Sequence, residues 1–532
     1  MLKLKKTSLI LILIICLSVF LRFYKLNEIP TGFHHDEVSQ AYNAFALGTT
    51  GHDRYSQSFP LLFRAFGSYQ PPLYTYLSII PIKIFGNTMF AARFVSAFFG
   101  VLIVIFTYLI IAELAKEKFK HSFALLAALM VGISPWAIHF SRRIAEANLG
   151  LALFAAAFYF FIRSLRSPRI FPLAMLLSGI STHAYYSERI IAIFFIPIYL
   201  FIFRQHYFKH IKSVIFGLVV FGLTQLPHLY LFANGAFSTR FNQVSYLGNI
   251  PEGFAGVIYI VQQFLRHILI YISPHHLFAD TGSNLANAAP ELGVFYGWFF
   301  IPFVIGIIAF IRRFHIPFFK LILLALPVFL ISASLTGDEF YTLRILEYLW
   351  ALTIIISFGA FLILEKINSK QVRLILPVML TVFSLVLFYL SYGILYKYEA
   401  EGYAGKVYIE LKDKLAPYSG KQIIVDSWRD IAIGLRIAYF EKYDANKLSA
   451  ILGPQIFADY YKAEGDIQEV YKVNNMEFRP FVWKEDSGLK NTILVGDSLA
   501  ISEDQVYSNK LTPLFEIKNL NGSTAIKAYT TE

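Results

Sequence analysis

The sequence predicts a mainly α-helical, polytopic membrane protein with about eleven transmembrane helices and a small α/β domain outside the membrane. Three observations carry that class. Hydrophobic residues make up 56% of the chain and charged residues 15%, against roughly 25% charged in soluble domains. Apolar runs near the roughly 20 residues needed to cross a bilayer recur from the amino terminus to about Leu395. From about Glu399 the polar content rises and short strand patterns take over.

The first run, Thr7 to Phe23, follows Lys3, Lys5 and Lys6, and no small-residue cleavage site follows it, so an uncleaved anchor is expected rather than a signal peptide. Further spans are expected at 88–111, 123–138, 149–162, 171–185, 190–203, 214–232, 292–311, 317–335, 345–364 and 374–395. With a cytoplasmic amino terminus, the loops 116–121, 163–169, 204–212, 312–320 and 365–373 face inward, and each is basic. The formal charge of +12 is therefore explained by topology, and no nucleic-acid partner is expected. The single cysteine, Cys16, excludes a disulfide within one chain and a cysteine-based zinc site.

This arrangement puts the segment 27–87, turns near 141–147 and 185–189, the loop 234–290, the turn 336–344 and the tail on the outer face. The domain expectation is a membrane part over residues 1–396 and a soluble part over 397–532. In the tail, residues 422–426 and 492–496 have the pattern of short buried strands, with a helix expected over 428–443. A multi-pass protein of the plasma membrane is the expected setting.

Chemistry collects on the outer face. Asp36 and Glu37 lie just past the first span, where two adjacent carboxylates are costly unless they are used. Behind them Val38, Ala41, Tyr42, Phe45 and Ala46 recur at helical spacing, which predicts a helix along the bilayer surface with both acids at its amino terminus, where the dipole favours anions. Capping that helix is the plainer role for the pair. Then come Gly67-Ser68-Tyr69-Gln70, the rigid entry Pro71-Pro72-Leu73-Tyr74, and Ala91-Ala92-Arg93-Phe94 at the head of the second span.

These motifs, in this order, resemble the GT-C glycosyltransferases, specifically the bacterial relatives of protein O-mannosyltransferases and of the aminoarabinose transferase that modifies lipid A. The resemblance covers the membrane part to about Leu364 and does not extend convincingly to the tail. It implies transfer of a sugar from a polyprenyl-phosphate donor to an outer-face lipid, glycan or protein acceptor. It further implies Asp36 as catalytic base with Glu37 in support. Ser141-Arg142-Arg143-Ile144-Ala145-Glu146 echoes the family's Arg and acidic residue at the fourth span, so Glu146 joins the catalytic candidates and Arg142 and Arg143 the phosphate-binding ones. Arg189 and Arg344 open later spans and are expected to hold phosphate, with Tyr69 and Gln70 completing the substrate-binding candidates.

Many relatives carry Lys where this chain has Gln70, whose amide cannot neutralise a phosphate, so arginine or a metal must do so. His34-His35 and His275-His276 bring imidazoles near carboxylates, but their spacing is not diagnostic, and the need for a divalent metal is left open. The competing functions are a transporter or flippase for lipid-linked sugars, or a non-catalytic sugar-binding relative. A transporter should carry polar features at the bilayer midplane, whereas here the charges gather at one end of the spans.

Overall fold

A computed structural model describes residues 6–114, 120–280, 282, 284–400, 405–456, 459–462 and 469–531. Lys3, Lys5 and most of the loop 116–121 lie outside the described residues. The chain folds as two compact units: one contains residues 1–24, 95–233 and 240–393, the other 25–94, 234–239 and 394–532. The second joins residues 25–94 to the tail.

The first unit is helical. Among the described residues, six helices are long and apolar enough to cross a membrane, or eight spans if each of two bent pairs counts as one. The bent pairs break at Ser134-Pro135 and at Gln225, by 58° and 42°. Proline cannot donate the backbone hydrogen bond that would carry the first of these helices through. Three segments expected as spans are shorter apolar helices, Thr7–Phe23, Pro168–Ser181 and Gly297–Arg312, so length and composition alone give fewer crossings than eleven. The expected outer loop 234–290 contains an 18-residue helix, Phe254–Tyr271. That helix has an apolar stripe through Phe254, Val257, Ile258, Val261, Leu265 and Leu269, all exposed, and its run is interrupted by Gln262, Gln263 and Arg266. Those polar residues break the continuous apolar run that marked the other spans in the sequence.

Helix–helix approach in this unit depends on glycine. Between helices Phe300–Arg312 and Leu346–Lys366, a Cβ at Gly359 would fall 1.9 Å from the Pro302 carbonyl oxygen, and one at Gly306 would fall 2.2 Å from that of Ile355. The two backbones pack directly, as small residues allow between apolar helices.

The second unit contains α2 (His35–Thr50), the hairpin β1 (Phe63–Ala65) and β2 (Ser68–Gln70), α3 (Pro72–Phe85), and the tail domain. The tail builds a six-stranded sheet from β3 (Gln422–Val425), β4 (Tyr471–Val473), β5 (Met476–Phe478), β6 (Thr492–Gly496), β7 (Thr512–Lys518) and β8 (Thr524–Thr530), in the order β4-β5-β3-β6-β8-β7. β3 runs parallel to β5 and β6, and the remaining pairings are antiparallel. Both expected strands are present, and the expected helix over 428–443 is shorter, at Ile433–Phe440.

The acidic helix α2 forms where its period predicted, but it is buried on nearly all sides and does not leave an apolar stripe open. It packs on α3 and on the tail helices Ile433–Phe440 and Ala445–Leu452. The Tyr42 hydroxyl donates to the Tyr443 carbonyl at 3.0 Å, and Arg436 Nε donates to the Phe33 carbonyl at 2.5 Å.

Candidate active site

Asp36 and Glu37 occupy the first turn of α2 and have opposite surroundings. Glu37 is 3% exposed, and Arg93 meets it with two parallel bonds, Nε to Oε1 and Nη2 to Oε2, both at 3.0 Å. Arg93 also donates to the carbonyls of Leu26, Pro30 and Gly32. Glu37 closes a capping box as well, accepting the His34 backbone N–H at 3.2 Å. Its lone pairs are thus committed to holding the entry of α2. The Asp36 side chain is 57% exposed. It accepts Gln70 Nε2 at 3.3 Å, and its Oδ2 lies 3.6 Å from His35 Nε2 and 3.9 Å from His34 Nδ1.

Beneath Asp36 is a buried polar cluster. Gln70 Oε1 accepts the Ser39 hydroxyl at 3.0 Å, and Ser39 Oγ accepts Arg54 Nη1 at 2.7 Å. Arg54 Nη2 pairs with Glu469 Oε1 at 3.3 Å, and the hydroxyls of Tyr55 and Tyr471 both donate to Glu469. Burial opposes the Arg54 charge, but Tyr55, Glu469 and Asp53 outweigh it and hold Arg54 above its ordinary value. Asp53 is pushed above the usual carboxylate range by burial, partly offset by the Tyr460 hydroxyl, which donates to it at 2.5 Å. Tyr69 is buried and donates to the Tyr460 carbonyl at 2.8 Å.

The remaining candidates belong to the other unit. Glu146 is the first residue of α7 (Glu146–Ser164) and is partly exposed. Arg142 donates to the carbonyls of Leu21 and Tyr24 at 2.8 and 2.7 Å, satisfying the carboxyl end of the first span, and Arg143 donates to the Ala286 carbonyl. Arg189 lies over the Tyr186 ring, 4.7 Å from its centroid. Arg344 donates to Thr336 Oγ1 at 2.7 Å and to Asp338 Oδ2 at 2.5 Å, and stacks 4.4 Å over Tyr341.

Sequence reasoning missed several participants. Arg93 was visible only as part of a motif, and Arg54 and Glu469 are separated by 415 positions. Glu188 and Glu347 are both buried carboxyls, 1% and 2% exposed, and no sequence motif pointed to either. A Cβ at Gly150 would lie 2.9 Å from Glu188 Oε1, so glycine leaves the room this acid fills. Acidic residues one turn inside apolar runs are the signal that would have found the pair.

Among the described residues, one group could offer three ligands to a metal ion: His34, His35 and Asp36, with ligand atoms within 4.8 Å of one another. His34 Nδ1 already accepts the Asp36 backbone N–H at 3.4 Å as the helix cap, so a metal there would compete with the cap. His275 is exposed, and His276 stacks on Phe340 at 4.9 Å.

Residues 69–231 match the family model for dolichyl-phosphate-mannose-protein mannosyltransferases. No curated protein matches the sequence. Among solved structures, the chain is similar to ArnT from Cupriavidus metallidurans bound to undecaprenyl phosphate, with 13% identity, 98% of each chain covered and a TM-score of 0.54. ArnT from Cupriavidus metallidurans in the apo state gives 13% identity, 97% of each chain and a TM-score of 0.53. The chain thus shares the ArnT fold over nearly the whole of both chains, and over residues 69–231 it is similar to the dolichyl-phosphate-mannose-protein mannosyltransferases.

Proposed function

We propose that this chain transfers one sugar from a polyprenyl-phosphate donor to an outer-face lipid, glycan or protein acceptor, by direct displacement with Asp36 as base. The observation that carries this is the division of labour in the acidic pair: Glu37 is buried against Arg93, while the side chain of Asp36, in the same helix turn, is 57% exposed. A sugar phosphate already has a good leaving group, so the reaction needs a carboxylate to take the acceptor hydroxyl's proton and cations to hold the departing phosphate. The acceptor oxygen forms the new bond to the anomeric carbon, the carbon–phosphate oxygen bond breaks, and polyprenyl phosphate leaves. Asp36 ends the step protonated and releases that proton to water. The ArnT relative with undecaprenyl phosphate supports a donor lipid of this class.

In this reading Glu37 positions Asp36, Glu146 assists the acceptor, and Arg142, Arg143, Arg189 and Arg344 supply charge for phosphate. The eleven spans expected from the sequence, with the shorter helices and Tyr186–Ile202 among them, cross the plasma membrane, with the amino terminus inside, the membrane part ending near residue 396 and the domain 397–532 outside. Purified protein offered radiolabelled polyprenyl-phosphate sugars with cell-envelope extract should move label onto an acceptor and release polyprenyl phosphate. Movement of intact donor across a proteoliposome bilayer without any covalent transfer would replace this reading with the flippase.

A further inference from the structure

We infer that Glu469, in the tail domain, is a positioning residue for Asp36, acting through the buried relay Arg54, Ser39 and Gln70. The inference rests on the proposed role of Asp36 as base. Each link of the relay has a fixed hydrogen-bond sense. A guanidinium can only donate, so Ser39 Oγ accepts from Arg54 at 2.7 Å and its own proton points to Gln70 Oε1 at 3.0 Å. The Gln70 amide is thereby held with Nε2 toward Asp36, 3.3 Å from both Oδ1 and the backbone carbonyl. Glu469 fixes the far end by holding Arg54 at 3.3 Å, with two tyrosine hydroxyls on its carboxylate.

Every member behind Asp36 is buried: Gln70 6% exposed, Ser39 and Arg54 0%, Glu469 1%. Such a chain has one low-energy sense, since reversing any link faces donor with donor or acceptor with acceptor. The residue where relatives carry a phosphate-binding lysine here aims an N–H at the carboxylate. Among the described residues, His34 and His35 also lie beside that carboxylate.

The test uses the full chain and reads Asp36 directly. Carbodiimide with glycine ethyl ester couples to protonated carboxyls, and mass spectrometry reports labelling at Asp36 as a function of pH. In Ser39→Ala the Gln70 amide is released from its fixed sense, so the carboxylate loses a donor and labelling should extend to higher pH, whereas Ser39→Thr, which keeps the hydroxyl, should retain the original curve. Glu469→Gln should shift the curve in the same direction as Ser39→Ala. Turnover should fall about tenfold in Ser39→Ala with donor KM unchanged. If Ser39→Ala does not fold, Gln70→Met, similar in shape but lacking the amide, gives the same reading. Superimposable curves for Ser39→Ala and the unsubstituted chain would overturn the relay, and an unmoved curve in Glu469→Gln would overturn the part of Glu469. The labelling is independent of sugar transfer, so a failed relay and a failed assignment of Asp36 as base are told apart.

Discussion

Asp36 and Glu37 are chemically alike and one position apart, yet their surroundings give them different work. Removing one partner from a buried ion pair costs about 3–5 kcal/mol, so Glu37→Gln, which strands Arg93, should melt well below the unsubstituted protein in a detergent thermal scan. Gln70→Lys would place an ammonium beside Asp36, so donor binding should hold or tighten while turnover drops by about tenfold, a split that steady-state kinetics resolves. Arg344 is already paired with Asp338, at 2.5 Å. A phosphate must compete with that carboxylate, so Asp338→Asn should tighten donor binding. Arg344→Gln should weaken it about tenfold or more, each charge-assisted contact being worth about 1.5–3 kcal/mol. Normal donor binding by Arg344→Gln, with loss on adding a chelator, would give the phosphate to a metal ion. The sequence disclosed the acidic pair because carboxylates beside a span are costly, but it could not rank the two members. That ranking depends on Arg93, which lies 56 positions on and reaches Glu37 only once the chain has folded.

At the scale of elements, local periodicity located α2 and both tail strands, since a helix of period 3.6 and an apolar strand each leave their mark within a few residues. It failed where partners come from far away. The apolar residues of α2 suggested a lipid-facing stripe, yet the tail helices cover them, and no local pattern records that. It failed also for Phe254–Tyr271, where Gln262, Gln263 and Arg266 interrupt the apolar run. Close helix approach was equally hidden, because a glycine in an apolar run signals nothing until the facing helix is known. Gly359→Ala would drive a methyl into the Pro302 carbonyl, and overpacking of this kind costs about 1–3 kcal/mol or more. A melting temperature lower by several degrees should result, with Gly222→Ala, where nothing lies within 4 Å of the new methyl, as the neutral control.

For the whole molecule, composition was enough to give a polytopic membrane class, and the motifs around Asp36 and Arg93 were enough to expect the fold that ArnT shares. The joining of residues 25–94 with the tail in one unit was not legible, because it rests on single long-range bonds such as Asn87 to the Tyr439 carbonyl at 2.9 Å. The topology makes a direct prediction: in a Cys16→Ser background, a cysteine at exposed Ser419 should label from outside the cell, and one at exposed Asn368 should not. The central claim is that Asp36 removes the proton from the acceptor. Its most direct measurement is the turnover of Asp36→Asn, which keeps shape and removes basicity, beside its donor affinity and melting temperature. The account predicts turnover lower by about a hundredfold or more, with donor affinity and melting temperature held. Turnover close to that of the unsubstituted protein would contradict it and move the base to Glu37 or Glu146.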